Sequence, residues 1–102
     1  ADFGICYFHQ SAFFNYAVFQ NKAIFNQCIF DNRAEWNNAK LYKLEMINTQ
    51  FRGTTQFKQT EVSGTAKLQK LSFYVQDIPF DELKIDAVNK EISEVVSLHK
   101  KN

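Results

Sequence analysis

The sequence predicts an all-β solenoid, in which short extended segments joined by corners wind into stacked coils. A bulky apolar residue recurs every five or six positions from residue 3 to residue 73, and a small or compact residue stands two positions before nearly every one. An internal repeat of this length takes precedence over local signals. The fourteen bulky residues are Phe3, Phe8, Phe14, Phe19, Phe25, Phe30, Trp36, Leu41, Met46, Phe51, Phe57, Val62, Leu68 and Phe73.

The period of the repeat excludes the ordinary alternatives. Five residues at about 100° each rotate a side chain about 140° from its starting direction, so the phenylalanines would spiral around a helix without forming a stripe. A long single strand fails as well, because a step of five places successive members on opposite faces. The spacing fits two inward residues on a short extended segment, followed by a corner. Asn, Gly, Gln, Lys and Asp dominate the corners, for example at Asn37-Asn38 and Ser63-Gly64.

Residues 1–75 resemble the pentapeptide-repeat family. The motif of that family is a small residue, a polar residue, Leu or Phe, and two further polar residues. Four consecutive copies cover residues 34–38, 39–43, 44–48 and 49–53, and the alternating spacing is similar to the divergent, Phe-rich branch. The resemblance implies a right-handed quadrilateral β-helix with one repeat on each side. Fourteen sides correspond to about three and a half coils.

The gaps between bulky residues also predict the length of a coil. Four sides that alternate five and six residues span 22 residues, and the coil around Met46 is one residue short, which should shift one corner without breaking the stack. Cys6 and Cys28 lie 22 residues apart at the small inward position, so they should stack on adjacent coils. We interpret them as small core residues; a disulfide or a metal site is the alternative, for which no neighbouring His or third Cys is evident.

The repeat ends after Phe73, and residues 76–102 are predicted to form a linker and one C-terminal amphipathic α-helix. Pro79 ends the extended pattern, and Asp81 or Asp86 could cap a helix. A helical period then places the apolar residues within about 100° of arc. Such a helix would either cap the open end of the solenoid or contact a partner or second copy. The apolar side of this predicted helix comprises Ile85, Val88, Ile92, Val95, Val96 and His99.

On each extended segment, the residue between the two inward residues should point outward. These outward residues supply the candidate interaction site, because they are apolar on five successive sides and then polar from Glu35 onward. An exposed apolar surface of this extent indicates a partner. Three interpretations remain open: contact with another molecule, cover by another part of the chain, and cover by sequence upstream of Ala1. We expect the chain to be a piece of a longer protein, since the repeat is already in phase at Ala1. The candidate interaction residues are Tyr7, Phe13, Val18, Ile24 and Ile29.

Composition and charge argue against several classes of function. The length of 102 residues predicts one domain, and the formal net charge is +1. Residues 1–75 carry a net charge of +3, so nucleic-acid binding is not expected, and an acidic mimic of DNA that protects a topoisomerase ranks low. No stretch predicts a membrane span. The two histidines stand 90 residues apart, and neither a phosphate loop nor a metal-spaced cluster appears, so no catalytic residues, metal, cofactor or small-molecule substrate are predicted.

These observations predict a non-enzymatic structural scaffold or protein-interaction module. Its partner would be another protein or a second copy of the chain, and self-association is the simplest use of the apolar surface. A cytoplasmic location is expected, because no signal peptide is recognisable in the sequence. The alternative is a solenoid domain of a larger effector, which could be secreted, or of a membrane-associated protein.

Overall fold

A computed structural model describes residues 2–85 and 90–99 of the chain. These residues form an all-β solenoid of about four turns, built from parallel strands. The strands are β1 (Tyr7–Phe8), β2 (Ala12–Phe13), β3 (Val18–Ile24), β4 (Ile29–Phe30), β5 (Ala34–Glu35), β6 (Lys40–Phe51), β7 (Thr55–Gln56), β8 (Thr60–Phe73), β9 (Leu83–Ile85) and β10 (Lys90–Ser97).

Four parallel ladders connect successive coils, and two of them reach the last described coil. We number them by their outward residues and use these names throughout. Ladder 1 contains Tyr7, Ile29, Gln50, Ser72 and Val96; ladder 2 contains Phe13, Glu35 and Gln56; ladder 3 contains Val18, Lys40, Glu61 and Lys84; ladder 4 contains Asp2, Ile24, Glu45, Lys67 and Glu91. The offset from Tyr7 to Ile29 is the predicted 22 residues.

Stacked aromatic rings fill the core between the ladders. The rings of Phe8, Phe30, Phe51 and Phe73 form one column, in which successive centroids lie 4.7, 5.2 and 4.7 Å apart and the planes are within 5° of parallel. Trp36 is the middle ring of a second column, between Phe14 at 5.3 Å and Phe57 at 5.0 Å. Because a parallel coil repeats at about 4.8 Å, identical rings on successive coils meet at stacking distance. The Phe repeat therefore becomes a continuous apolar column.

The short coil predicted around Met46 is present, and the structure places its missing residue at the corner formed by Tyr42. The register of β6 against both β3 and β8 shifts at this residue, so Tyr42 alone opposes two residues on each neighbouring coil. Lys40 is offset from Glu61 by 21 residues, whereas Lys43 is offset from Thr65 by 22. The predicted shift of one corner is therefore confirmed. Pairing of the strands resumes at Lys43, so the missing residue changes a corner and leaves the stack intact.

Alternate corners turn through a left-handed residue. Among the described residues, seven other than glycine have φ between 54° and 63°, each two positions after a bulky inward residue: Tyr16, Gln27, Asn38, Asn48, Gln59, Lys70 and Glu94. Only two of the seven are Asn, the type that adopts this conformation most readily. Side-chain amides brace these corners, because Asn15 Oδ1 accepts from the amide of Asn37 at 2.8 Å and Asn37 Oδ1 from that of Lys58 at 2.9 Å.

Buried side-chain nitrogen and oxygen atoms in the described part of the chain are paired with one exception. Thr49 Oγ1 donates to the carbonyl of Phe25 at 2.5 Å, and Thr60 Oγ1 to that of Trp36 at 2.6 Å, in each case one coil below. Threonine can therefore replace alanine at the small position without leaving a buried hydroxyl unsatisfied. Among the described residues, the indole Nε1 of Trp36 is the one buried side-chain nitrogen or oxygen without a partner.

The predicted C-terminal amphipathic helix is wrong. Ile85 belongs to β9, and β10 continues the solenoid with Lys90 beside Ala66 and Ile92 beside Leu68. Two of the residues assigned to the helix, Asp86 and Val88, lie outside the described residues.

The spacing of residues across a corner explains this error. In β10 the residues aligned with buried partners are Lys90, Ile92, Val95 and Ser97. Ile92 and Val95 lie on either side of the left-handed corner at Glu94, so inward residues recur after three positions, as they do on a helix. The spacing of the repeat is also lost here, because the last coil has 24 residues between Leu68 and Ile92, compared with the predicted 22. Lys90 and Ser97 also stand where earlier coils carry Ala, Leu or Phe.

The described part of the chain contains no helix of the length and apolar character needed to cross a membrane.

Candidate interaction surface at the first coil

The five predicted interaction residues wind around the solenoid, with at least one on every ladder. Tyr7 and Ile29 are neighbours on ladder 1, whereas Phe13, Val18 and Ile24 belong to ladders 2, 3 and 4. They therefore form a belt around the first coil and the start of the second. No single face of the solenoid contains all five.

Exposure divides this belt into two parts. Tyr7, Phe13 and Val18 are exposed at 48%, 59% and 64%, while Ile24 and Ile29 are half-buried. The first coil has no neighbour below it among the described residues, whereas Ile24 and Ile29 lie between strands on both sides. The accessible part of the predicted site is therefore the first coil.

Two further exposed apolar side chains extend this surface and were not among the predicted site residues. Ile5 is 82% exposed and Tyr16 is 75% exposed, and both stand at corners between the outward positions. The predicted site used only the residue between each inward pair, so it omitted the corners. A count of every apolar residue outside the inward series would have found both. We define the first-coil surface as Ile5, Tyr7, Phe13, Tyr16 and Val18.

The core is also incompletely covered at the first coil. Phe3, Phe8, Phe14 and Phe19 are only partly buried and pack against the core on the side of the first coil. In contrast, Phe25 and Phe30 in the next coil have exposed fractions of 0% and 1%. Each first-coil ring has a ring or aliphatic side chain above it but none below it among the described residues. Apolar ring faces thus adjoin the first-coil surface.

A polar cluster borders this surface at Tyr7. The hydroxyl of Tyr7 donates to Asp31 Oδ2 at 2.7 Å, and its ring stacks on that of His9 with centroids 4.1 Å apart. Arg52 Nη1 approaches Asp31 Oδ1 at 3.4 Å. The hydrogen bond to Asp31 raises the pKa of Tyr7, since it favours the protonated phenol, and the nearby Arg52 opposes this. Tyr7 is therefore held in one orientation by neighbours on the next two coils.

The change from apolar to polar outward residues is visible on ladder 2. Glu35 lies directly above Phe13 and is only 7% exposed. Its carboxylate accepts a hydrogen bond from Asn15 Nδ2 at 3.0 Å and pairs with Arg33 Nη1 at 3.3 Å. These partners compensate the cost of burying the charge. The exposed apolar surface on this ladder therefore ends at Phe13.

Both cysteines are free and lie on adjacent coils, as the repeat length predicts. The amide of Ile29 donates to the carbonyl of Cys6 at 2.9 Å, which places Cys28 beside Cys6. The thiol of Cys28 is buried and contacts the carbonyl of Gly4 at 3.1 Å. Burial raises the pKa of Cys28 to about 11, so this thiol is neutral at physiological pH. In the structure both act as small core side chains.

Glu45 lies above Ile24 on ladder 4 and gives a testable dependence of stability on pH. Its carboxylate accepts from Asn26 Nδ2 at 2.6 Å and pairs with Lys22 Nζ at 3.1 Å. The hydrogen bond from Asn26 is the main cause of its lowered pKa, and Lys22 acts in the same direction. A lowered folded-state pKa contributes stability that is present above the ordinary value of 4.5 and is lost as pH falls through the folded value.

We therefore expect Glu45→Gln to reduce the free energy of unfolding by about 0.5–1 kcal/mol at pH 7 and by less at pH 3. Urea denaturation at both pH values measures this difference. Glu61→Gln, at an exposed carboxylate on ladder 3, is the control and should show no such change. A Glu45→Gln effect that is equal at both pH values would contradict the role assigned to the charge.

The ladders and the stacked core define the chain as a parallel β-solenoid. Comparison with protein-family models, curated proteins and solved structures found no match.

Proposed function

We propose that this chain is a non-enzymatic scaffold or protein-interaction module, and that its first coil is the contact surface. The observation that carries the proposal is the concentration of exposed apolar side chains between residues 5 and 18. Tyr7, Phe13 and Val18 are between 48% and 64% exposed, and Ile5 and Tyr16 even more. Single exposed apolar residues are ordinary, but five of them around one coil, beside core rings that are only partly buried, are typical of a surface that another molecule covers.

The partner in this proposal is a protein, and the simplest partner is a second copy of the chain. An apolar belt on a rigid coil is self-complementary when two copies meet through a two-fold axis. The contact contains Tyr7, Phe13 and Tyr16, and aromatic side chains are enriched at the centre of protein interfaces. Tyr7 adds a hydroxyl that is already bonded to Asp31 and so remains satisfied in a contact.

The proposal also includes membership of the pentapeptide-repeat family, with a right-handed coil of four sides. Four copies of the motif between residues 34 and 53 support it, as does the division of the coil into four ladders with offsets of 21 to 24 residues. The extended last coil would then be a divergent continuation of the same repeat.

The test is the oligomeric state over a range of concentrations, measured by size exclusion with light scattering. The unsubstituted chain is expected to show a concentration-dependent increase in mass. Phe13→Lys combined with Val18→Lys should abolish this increase, because two charges would be placed in the contact. Val75→Lys changes a residue of comparable exposure, 48%, after β8 and is the matched control.

A chain that stays monomeric at every concentration, and whose solubility is the same with Phe13→Lys and Val18→Lys, would contradict the proposal of self-association. Thermal unfolding of each variant shows whether a change in mass reflects loss of the fold. Both substituted residues are exposed, so the melting temperatures should remain close to that of the unsubstituted chain.

A further inference from the structure

A lysine-rich groove runs along the solenoid at the corner that precedes ladder 4. It has a volume of about 460 Å³ and lies across β3, β6, β8 and β10. Its floor contains the buried side chains of Leu44 and Ala66. One wall contains Lys22, Lys43 and Thr65, which are register neighbours on successive coils. The opposite wall is formed by Glu45, Lys67 and Glu91 of ladder 4.

The short coil shapes one wall of this groove. Tyr42 forms the corner alone, where the neighbouring coils use two residues, and Lys43 follows it directly. The Nζ atom of Lys43 lies 5.5 Å from the centroid of the Tyr42 ring, a cation–π distance. Lys43 and Lys67 are both half-buried, so part of each side chain packs against the solenoid, and both residues line the groove.

The charges of the groove do not cancel. Four lysines and two glutamates line it, and Lys22 is paired with Glu45 at 3.1 Å. Lys43, Lys67 and Lys90 then stand against Glu91 alone, which gives a local net charge of +2. The whole chain has a formal net charge of only +1, so this corner is more positive than the average surface.

We propose that this groove binds a phosphate dianion through Lys43, Lys67 and Lys90, either as a free phosphate or as a phosphomonoester. A phosphomonoester carries a charge of about −1.5 to −2 at pH 7, which matches the local excess. Its three terminal oxygens can accept from lysines on three successive strands, β6, β8 and β10, which repeat at about 4.8 Å, whereas a carboxylate has a single charge and two oxygens. Thr65, in register with Lys43, offers a hydroxyl donor in the same wall.

The direct test is a titration of the full chain with inorganic phosphate, followed by the amide NMR signals of Thr65, Ala66 and Lys67. Sodium chloride in a non-phosphate buffer keeps the ionic strength constant, since surface charges respond to salt. Saturable shifts confined to the groove are the expected result. Shifts that chloride alone reproduces, or the absence of any saturable shift, would overturn the proposal.

Two pairs of substitutions test the assignment of residues. Lys43→Gln with Lys67→Gln should weaken phosphate binding by about tenfold or more. Lys40→Gln with Lys58→Gln removes the same charge from exposed lysines outside the groove and should change affinity by less than about twofold. Glu91→Gln removes the opposing carboxylate and should strengthen binding. Equal weakening by the two double variants would show general electrostatic attraction and would overturn the groove as a site.

The source of the phosphate is distinguished by two further probes. Free O-phosphoserine and a phosphoserine peptide are each compared with inorganic phosphate, and the unphosphorylated peptide is the control. Equal affinity for all three phosphates supports recognition of the dianion alone, and tighter binding of the phosphopeptide supports a phosphorylated protein as its source. Binding of the unphosphorylated peptide to the same amides with equal affinity would contradict phosphate recognition.

Discussion

Phe51→Ala should lower the free energy of unfolding by about 3–5 kcal/mol, the range typical of a buried phenylalanine replaced by alanine. Phe51 is fully buried, and its ring stacks between Phe30 at 5.2 Å and Phe73 at 4.7 Å. Trp36 contacts it edge-on with centroids 6.1 Å apart. The rigid spacing of the coils prevents Phe30 and Phe73 from closing the gap, so the cavity would persist and the loss should lie at the upper end of the range.

Chemical denaturation of both forms measures the effect, with Phe13→Ala as the control. Phe13 is the same residue type, but it is 59% exposed on the outward side of the first coil. Its truncation should change the free energy of unfolding by no more than about 0.5 kcal/mol. A cost below about 1 kcal/mol for Phe51→Ala would mean that the ring column does not stabilise the solenoid in the way described.

Gly53→Ala should destabilise the chain by about 3 kcal/mol, at the upper end of the cost of adding a methyl group to a packed site. A Cβ atom at this position would lie 2.3 Å from the carbonyl carbon of Asn32 and 2.4 Å from its oxygen. These atoms belong to the backbone of the coil below, so no side-chain rotation relieves the contact. The two coils would have to separate at this corner, and the neighbouring ladder hydrogen bonds would lengthen.

Thermal unfolding is a suitable readout, since each kcal/mol corresponds to about 4–8 °C in a domain of this size. Gly4→Ala is the matched control. Among the described residues, a Cβ at Gly4 meets only Asp2 Oδ1, at 3.7 Å, so the cost there arises from its φ of 47° and should be about 1–2 kcal/mol. If Gly53→Ala were no more destabilising than Gly4→Ala, the close approach to Asn32 would not explain why glycine stands at this corner.

The core and the coil length could be predicted from the sequence because each inward position repeats a single physical requirement. Every coil needs a bulky residue that meets its equivalent about 4.8 Å away, and this requirement recurs in phase from Phe3 to Phe73. Position in the repeat therefore determined burial for Phe25, Phe30 and Phe51 without any knowledge of the corners.

The last coil could not be predicted in the same way. Lys90 and Ser97 occupy the register positions of Ala66 and Phe73, so the apolar signal disappears where the strands continue. A corner separates inward residues by three or four positions, and this spacing is also that of a helix face. Where inward positions carry polar residues, as in β10, a helical pattern can arise from the corners alone.

The candidate site was predicted in part. The alternation of inward and outward residues along each segment predicted Tyr7, Phe13 and Val18 to point outward, and they are exposed in the structure. The alternation could not reveal that successive outward residues belong to different ladders, because that depends on the turn at each corner. Nor could it place Lys43, Lys67 and Lys90 in one groove, since they are brought together by register between coils and lie 23 or 24 residues apart in the sequence.

The uniform offset between coils has a kinetic consequence. Because the strand pairs join residues 21 to 24 positions apart, every coil must close a loop of about the same length before it gains any contact. In a chain of 102 residues, pairings of this kind give a relative contact order of about 0.2, a value typical of domains that fold in milliseconds to seconds. The first pair of coils to meet carries the full entropic barrier, and later coils add to an existing edge. Folding can therefore begin at any pair of neighbouring coils and then spread along the solenoid.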